Sequence, residues 1–152
     1  MTKFNKYREI EYKGQLVDFY VNELREYDDV TMLLEDLVEV LGYVNENEII
    51  EKLLNEKYLL DYVYQGELNG KTKLFIGRYA IDNLAFNDSL NPGFEDLGDL
   101  AINVYRSLKI YDLLKNEYDQ IIENLSDSPV YKKHLYTNEN RDGKYERLLY
   151  TD

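Results

Sequence analysis

The sequence predicts an α+β fold in which antiparallel β-hairpins pack with amphipathic helices, one of them long and in the C-terminal half. Two dipeptides, Lys13-Gly14 and Asn69-Gly70, each separate runs rich in aromatic and β-branched residues, as hairpin turns do. From Leu97 to Leu125 apolar residues recur every three or four positions, which is the period of one helix face.

Residues 5–21, NKYREIEYKGQLVDFYV, read as two strands. Tyr7, Ile10 and Tyr12 precede the turn, and Leu16, Phe19 and Val21 follow it. The second run is also compatible with a helix starting in VDFYVNELREY. Asp28 or Asp29 then stands as the cap of a helix over VTMLLEDLVEVLGY, with Met32 or Leu33, Leu37, Val40 and Leu41 as its apolar stripe and Gly42 as its stop. A second short helix begins at Asn45 or Asn47 and buries Ile49, Ile50, Leu53 and Leu54.

The segment YLLDYVYQGELNGKTKLFIGRYAI reads as a hairpin about Asn69-Gly70, whose residues tolerate positive φ. DNLAFNDSLNPG reads as a loop, with Asn91-Pro92-Gly93 as the candidate hinge between two halves. The long helix follows, its stripe formed by Leu97, Ala101, Val104, Leu108, Tyr111, Tyr118, Ile122 and Leu125, with Leu114 carrying the stripe past Lys115. That seam is a core face, with a coiled-coil dimer as the alternative, so a monomer or a homodimer is expected. Val130–Tyr136 and Tyr145–Tyr150 form a last hairpin around Asp142-Gly143.

A chain of 152 residues is expected to fold as one domain, 1–152, with a core large enough to need no metal or disulfide staple. It has no cysteine, which excludes a thiol nucleophile and thiolate metal ligands. There is no run of apolar residues long enough to span a bilayer, and MTKFNKYREIEYKGQ has no apolar signal core, so a bacterial cytoplasmic location is expected and no membrane partner.

No catalytic signature is present. His134 is the only histidine and lies beside Lys132 and Lys133 on a predicted strand. Ser89, Ser107, Ser126 and Ser128 lack the context of a nucleophile elbow, and no phosphate-binding glycine loop occurs. Asn138, Asn140, Asp142 and Gly143 match the first, third, fifth and sixth places of a calcium loop, but Leu149 stands where the closing Glu is required. No enzyme activity, metal or cofactor is expected.

Charge is the strongest functional signal. The net charge is −12, from 30 acids and 18 bases. Between Glu23 and Glu51 ten carboxylates face one base, Arg25, while bases gather at the start (Lys3, Lys6, Arg8, Lys13) and near the end. Solubility alone accounts for acidity but not for its placement. Helical side chains three or four apart lie about 5–6 Å from one another. That is the scale of the phosphates on one duplex strand, which step by about 3.4 Å along the axis and lie further apart along the backbone. Asp28, Asp29, Glu35, Asp36, Glu39, Glu46, Glu48 and Glu51 are therefore expected to present a phosphate-like array to a cationic groove. The rival reading is two ordinary helices with wet acidic faces. Direct nucleic-acid binding is not expected, because phosphates would be repelled. The tyrosines, 16 of them against no tryptophan, suit the edges of a contact surface.

In size, acidity, tyrosine content and lack of motifs, the chain resembles the small phage or mobile-element proteins that block host nucleic-acid machinery, anti-CRISPR inhibitors of Cas nucleases among them. The resemblance is one of overall character and carries no individual residue over. It implies a stoichiometric inhibitor that occupies a guide-RNA, PAM-reading or target-DNA groove. The partner would be a basic nucleic-acid-binding protein, either a Cas effector or, in the alternative reading as an immunity protein or antitoxin, a nuclease toxin.

Overall fold

Two tight turns set the frame. Lys13 and Gly14 both take positive φ, 49° and 83°, and turn β1 (Phe4–Tyr12) directly into β2 (Gln15–Asn22). Asn69 and Gly70, at 52° and 81°, do the same between β4 (Val63–Leu68) and β5 (Lys71–Gly77). Two successive positive φ values give a turn whose twist matches that of the strands it joins. A computed structural model of the protein describes residues 1–126, and the predicted hairpin over 130–150, with His134 and the Asn138–Asp142 loop, lies outside them. The helix alternative for the second run is not adopted, since β2 runs to Asn22.

Between the hairpins the structure departs from the sequence reading. Thr31–Leu33 is not the first turn of a helix but a short strand, β3, paired with β2 through Tyr20 and with β5 through Ile76 and Phe75. All three residues are buried, which is the position of a central strand; the β-branched Thr31 and the apolar Met32 and Leu33 suit it. Helix α1 therefore starts only at Leu34 and ends at Leu41, and neither Asp28 nor Asp29 caps it. Gly42 closes it as expected, in a left-handed conformation with φ 89°.

The five strands form one antiparallel sheet in the order β1-β2-β3-β5-β4. Its edges curl back toward each other: Lys3 bridges to Glu67, and the Glu67 amide donates to the Thr2 carbonyl at 2.8 Å. This contact covers strand groups at one point of each edge. Inside the curl, Phe4, Tyr20, Leu33 and Phe75 form an aromatic core, with Phe4 and Phe75 stacked at 3.9 Å. Phe4 also packs against Gly66, where a Cβ would stand 2.4 Å from the ring, so β4 approaches β1 only because residue 66 has no side chain. Alternation along the strands turns Phe19, Met32 and Ile76 to the other face, all fully buried.

Helix α2 (Glu46–Leu54) is capped by Asn45, whose side-chain oxygen accepts from the Glu48 amide at 3.1 Å. Ile49 and Leu53 are its buried residues; Leu54, expected in the core, is largely exposed, and Ile50 is half-buried. A 3-10 helix, Lys57–Tyr62, takes up residues read as strand. Residues 78–88, read mostly as strand end and loop, form helix α3 (Arg78–Asp88), which buries Ala80, Ile81, Leu84 and Ala85. That one-sided pair of apolar steps was masked by the asparagines and aspartates between them. The Asn91-Pro92-Gly93 turn is anchored to α1: Asn91 Nδ2 donates to the Val40 carbonyl at 2.6 Å, and the Leu90 amide to that of Leu41 at 2.9 Å.

Helix α4 (Leu97–Ser126) is continuous, as its periodicity predicts. Two compact units are distinguished along the chain, Met1–Arg106 and Ser107–Asp152. The first holds the sheet, α1 to α3, the 91–93 turn and the start of α4, where Leu97, Ala101 and Val104 are buried. The second is described for residues 107–126, where the stripe continues through buried Leu108 and half-buried Tyr111, Leu114, Tyr118 and Ile122.

Candidate functional site

The eight acids read as one array do not all stand on one surface. Asp29 is buried, 4% exposed, and belongs to an internal ionic node. Its Oδ1 accepts from Arg78 Nη1 at 2.8 Å and from the amides of Val30 and Arg78, and its Oδ2 accepts from the Tyr64 hydroxyl at 2.7 Å. Gly77 leaves the room for this carboxylate, because a Cβ there would meet Oδ2 at 1.9 Å. Arg78 also donates to the Asp28 carbonyl and stacks on Tyr105, with its guanidinium carbon 3.6 Å from the ring centre. Asp28 is exposed, but Tyr105 donates to its carboxylate at 2.9 Å. Burial removes Asp29 from the proposed array, and its charge is met by Arg78.

Helix α1 gathers a denser group than its own three acids. Asp36 is half-buried, and burial first, then the neighbouring charges of Glu35, Asp18 and Glu39, push its carboxyl above the usual range. Asp18 comes from β2, outside the eight residues singled out. Two lysines answer part of this charge: Lys73 of β5 pairs with Glu35 at 3.0 Å, and Lys6 of β1 pairs with Asp18 at 3.2 Å. Within the Glu23–Glu51 run, expected to be almost uncompensated, Glu35 and Asp29 thus receive bases from distant sequence. Asp36 and Glu39 have no ion pair among the described residues.

Helix α2 contributes Glu46, Glu48 and Glu51, which also have no ion pair among the described residues; Glu51 is exposed and the other two are half-exposed. Glu35 and Glu46 line one shallow depression of about 500 Å³ with Val38, Asn45 and Val44, and Val44 is 83% exposed at its margin. Part of the acidity has a local cause too. Glu35 and Asp36 occupy the first turn of α1, and Glu46 and Glu48 that of α2, where the helix dipole favours negative charge by about 0.3–1 kcal/mol each.

A second surface was missed in the sequence. Tyr58 and Tyr62 of the 3-10 helix and Tyr79, Asp82, Asn83 and Phe86 of α3 line an open groove of about 550 Å³. Phe86 is 71% exposed, and Tyr62 meets Tyr79 edge to face at 5.3 Å. Glu56 stands at its rim, accepting from the Tyr58 hydroxyl at 3.1 Å and from Asn83 Nδ2 at 3.3 Å. The signal was legible: positions 79, 82, 83 and 86 lie at i, i+3, i+4 and i+7, one face of a helix. Reading Tyr79 as strand end and residues 82–93 as loop concealed it.

Among the described residues no three His, Asp or Glu side chains are grouped so as to hold a metal ion. No described helix is long and apolar enough to cross a membrane. No protein-family model, curated protein or solved structure matches the chain.

Proposed function

We propose that this protein is a non-enzymatic, stoichiometric inhibitor that acts in the bacterial cytoplasm and docks its α1–α2 acidic surface into the cationic groove of a nucleic-acid-handling enzyme. The first candidate class of partner is a CRISPR-associated nuclease. The docking set is Glu35, Asp36, Glu39, Glu46, Glu48 and Glu51, without the buried Asp29 and without Asp28, whose carboxylate is bonded to Tyr105, and with the exposed Val44 beside Glu35 and Glu46 as an apolar contact. The observation that carries this reading is the crowding around Asp36, where Asp18, Glu35 and Glu39 outnumber Lys6 and Lys73. A surface that holds carboxylates against their mutual repulsion gains free energy when a cationic groove closes on it. Steering by this field would speed association, and burial of Val44 would slow dissociation.

The test is inhibition. Purified Cas nucleases are titrated with the protein in a DNA-cleavage assay, before and after loading with guide RNA and target. The reading predicts cleavage that falls to zero near one equivalent for at least one effector, with protection lost when inhibitor is added after DNA. Full cleavage across the panel at large molar excess would remove the Cas assignment. The same titration against basic nuclease toxins then decides whether the immunity-protein version of the reading survives.

A further inference from the structure

We propose that the aromatic groove between the 3-10 helix and α3 is a binding site for an arginine side chain presented by a protein partner. It uses none of the residues of the acidic surface and stands independently of the function proposed above.

The groove has the composition a guanidinium requires. Its volume, about 550 Å³, falls within the roughly 300–1,000 Å³ usual for ligand clefts. Tyr58 and Phe86 offer exposed ring surface on which a planar cation can stack. Asp82 lies in the lining, half-buried, with one carboxylate oxygen packed against Gly98. Its side chain has no hydrogen bond or ion pair to any described residue. Burial, and then the charge of Asp99, push that carboxyl upward, as is expected of a negative group with no counterion. Glu56 adds a second carboxylate at the rim, and no lysine or arginine lines the groove.

Charge selects the occupant. A chain of net charge −12 repels polyanions and attracts cations. Arginine is favoured over lysine because its flat, weakly hydrated guanidinium stacks on rings and bonds a carboxylate through two donors at once. The fold already uses this combination internally, where Arg78 packs on Tyr105 and Tyr79 while bonded to Asp29.

The experiment follows the tyrosine and phenylalanine ring resonances of the full chain by NMR during titration with the blocked peptide acetyl-Gly-Ser-Arg-Ser-Gly-amide. The same peptide with Lys or Glu in place of Arg, and oligothymidylate, serve as comparisons. Saturable shifts confined to the rings of Tyr58, Tyr62, Tyr79 and Phe86 are expected with the arginine peptide. Binding should weaken by about tenfold or more in Asp82→Asn, where the charge-assisted bond is lost. Phe86→Ala should weaken it as well, and the high exposure of Phe86 makes that variant safe for the fold. Glu39→Gln/Glu46→Gln/Glu48→Gln should leave it unchanged. Any of three results overturns the proposal: no saturable shift, equal binding of the lysine peptide, or ring shifts with oligothymidylate. Loss of peptide binding in the α1–α2 variant would also overturn it, by relocating the site.

Discussion

Arg78 Nη1 lies 2.8 Å from Asp29 Oδ1, and the pair joins the loop before β3 to the junction of β5 and α3. Both side chains are nearly out of solvent, at 10% and 2% exposure, so removing one leaves the other charged and unpaired in the interior. Arg78→Met or Asp29→Ala is expected to cost about 3–5 kcal/mol in urea unfolding. The double variant Asp29→Leu/Arg78→Met should lose less than the sum of the singles, because no lone buried charge remains. Additive losses would show that the two residues act separately.

This node also marks the boundary of what the sequence discloses. The hairpin turns were legible because Lys13-Gly14 and Asn69-Gly70 carry a local steric requirement. The long helix was legible because its stripe repeats from Leu97 onward. Asp29 was misread because its partner lies 49 positions away at Arg78, and nothing near Asp29 announces burial. For the same reason Glu35 looked unmatched, although Lys73 reaches it across the sheet. Thr31–Leu33 became strand rather than helix because two neighbouring strands needed a central partner, which a local period does not record. Charge density was visible in the sequence, whereas the direction and pairing of each charge came from tertiary contacts.

The crowding around Asp36 has a consequence for stability. Its carboxyl is raised above the ordinary 3.8 by burial and by Glu35, Asp18 and Glu39, so the folded state binds this proton more readily than the unfolded one. The ionised form therefore destabilises the fold above both values, and that cost fades as pH falls through the raised value toward 3.8. Asp36→Asn should stabilise the protein at pH 7 and give no advantage below pH 3.8. Chemical unfolding of both proteins at several pH values checks this. A variant less stable at pH 7 would contradict it.

Alkaline pH should act through buried tyrosines. Burial, then nearby carboxylates, holds the Tyr43 hydroxyl up at about 12, and Tyr12 and Tyr64 are raised further, by burial first and then by their bonds to Asp96 and Asp29. In the unfolded chain these groups ionise near 10.0. Their contribution to stability is complete below that value and is lost as pH rises from 10.0 toward the folded values. Absorbance at the tyrosinate band should show a group of tyrosines, Tyr12, Tyr43 and Tyr64 among them, that ionises only with loss of circular dichroism. A single smooth titration of the intact fold would contradict the assigned burial.

The proposed docking of the α1–α2 carboxylates onto a cationic partner is tested by the binding of a charge-reversed protein. Wild type and Glu39→Lys/Glu46→Lys/Glu48→Lys, with matching circular dichroism, are used to capture proteins from a bacterial lysate at about 50 mM and about 500 mM salt, a range over which screening shortens from above 10 Å to a few ångströms. Wild type should retain a basic nucleic-acid-binding protein at low salt, release it at high salt and yield it to competing DNA, while the reversed protein retains none. Equal capture by both proteins, or capture indifferent to salt and DNA, would rule out docking through these carboxylates.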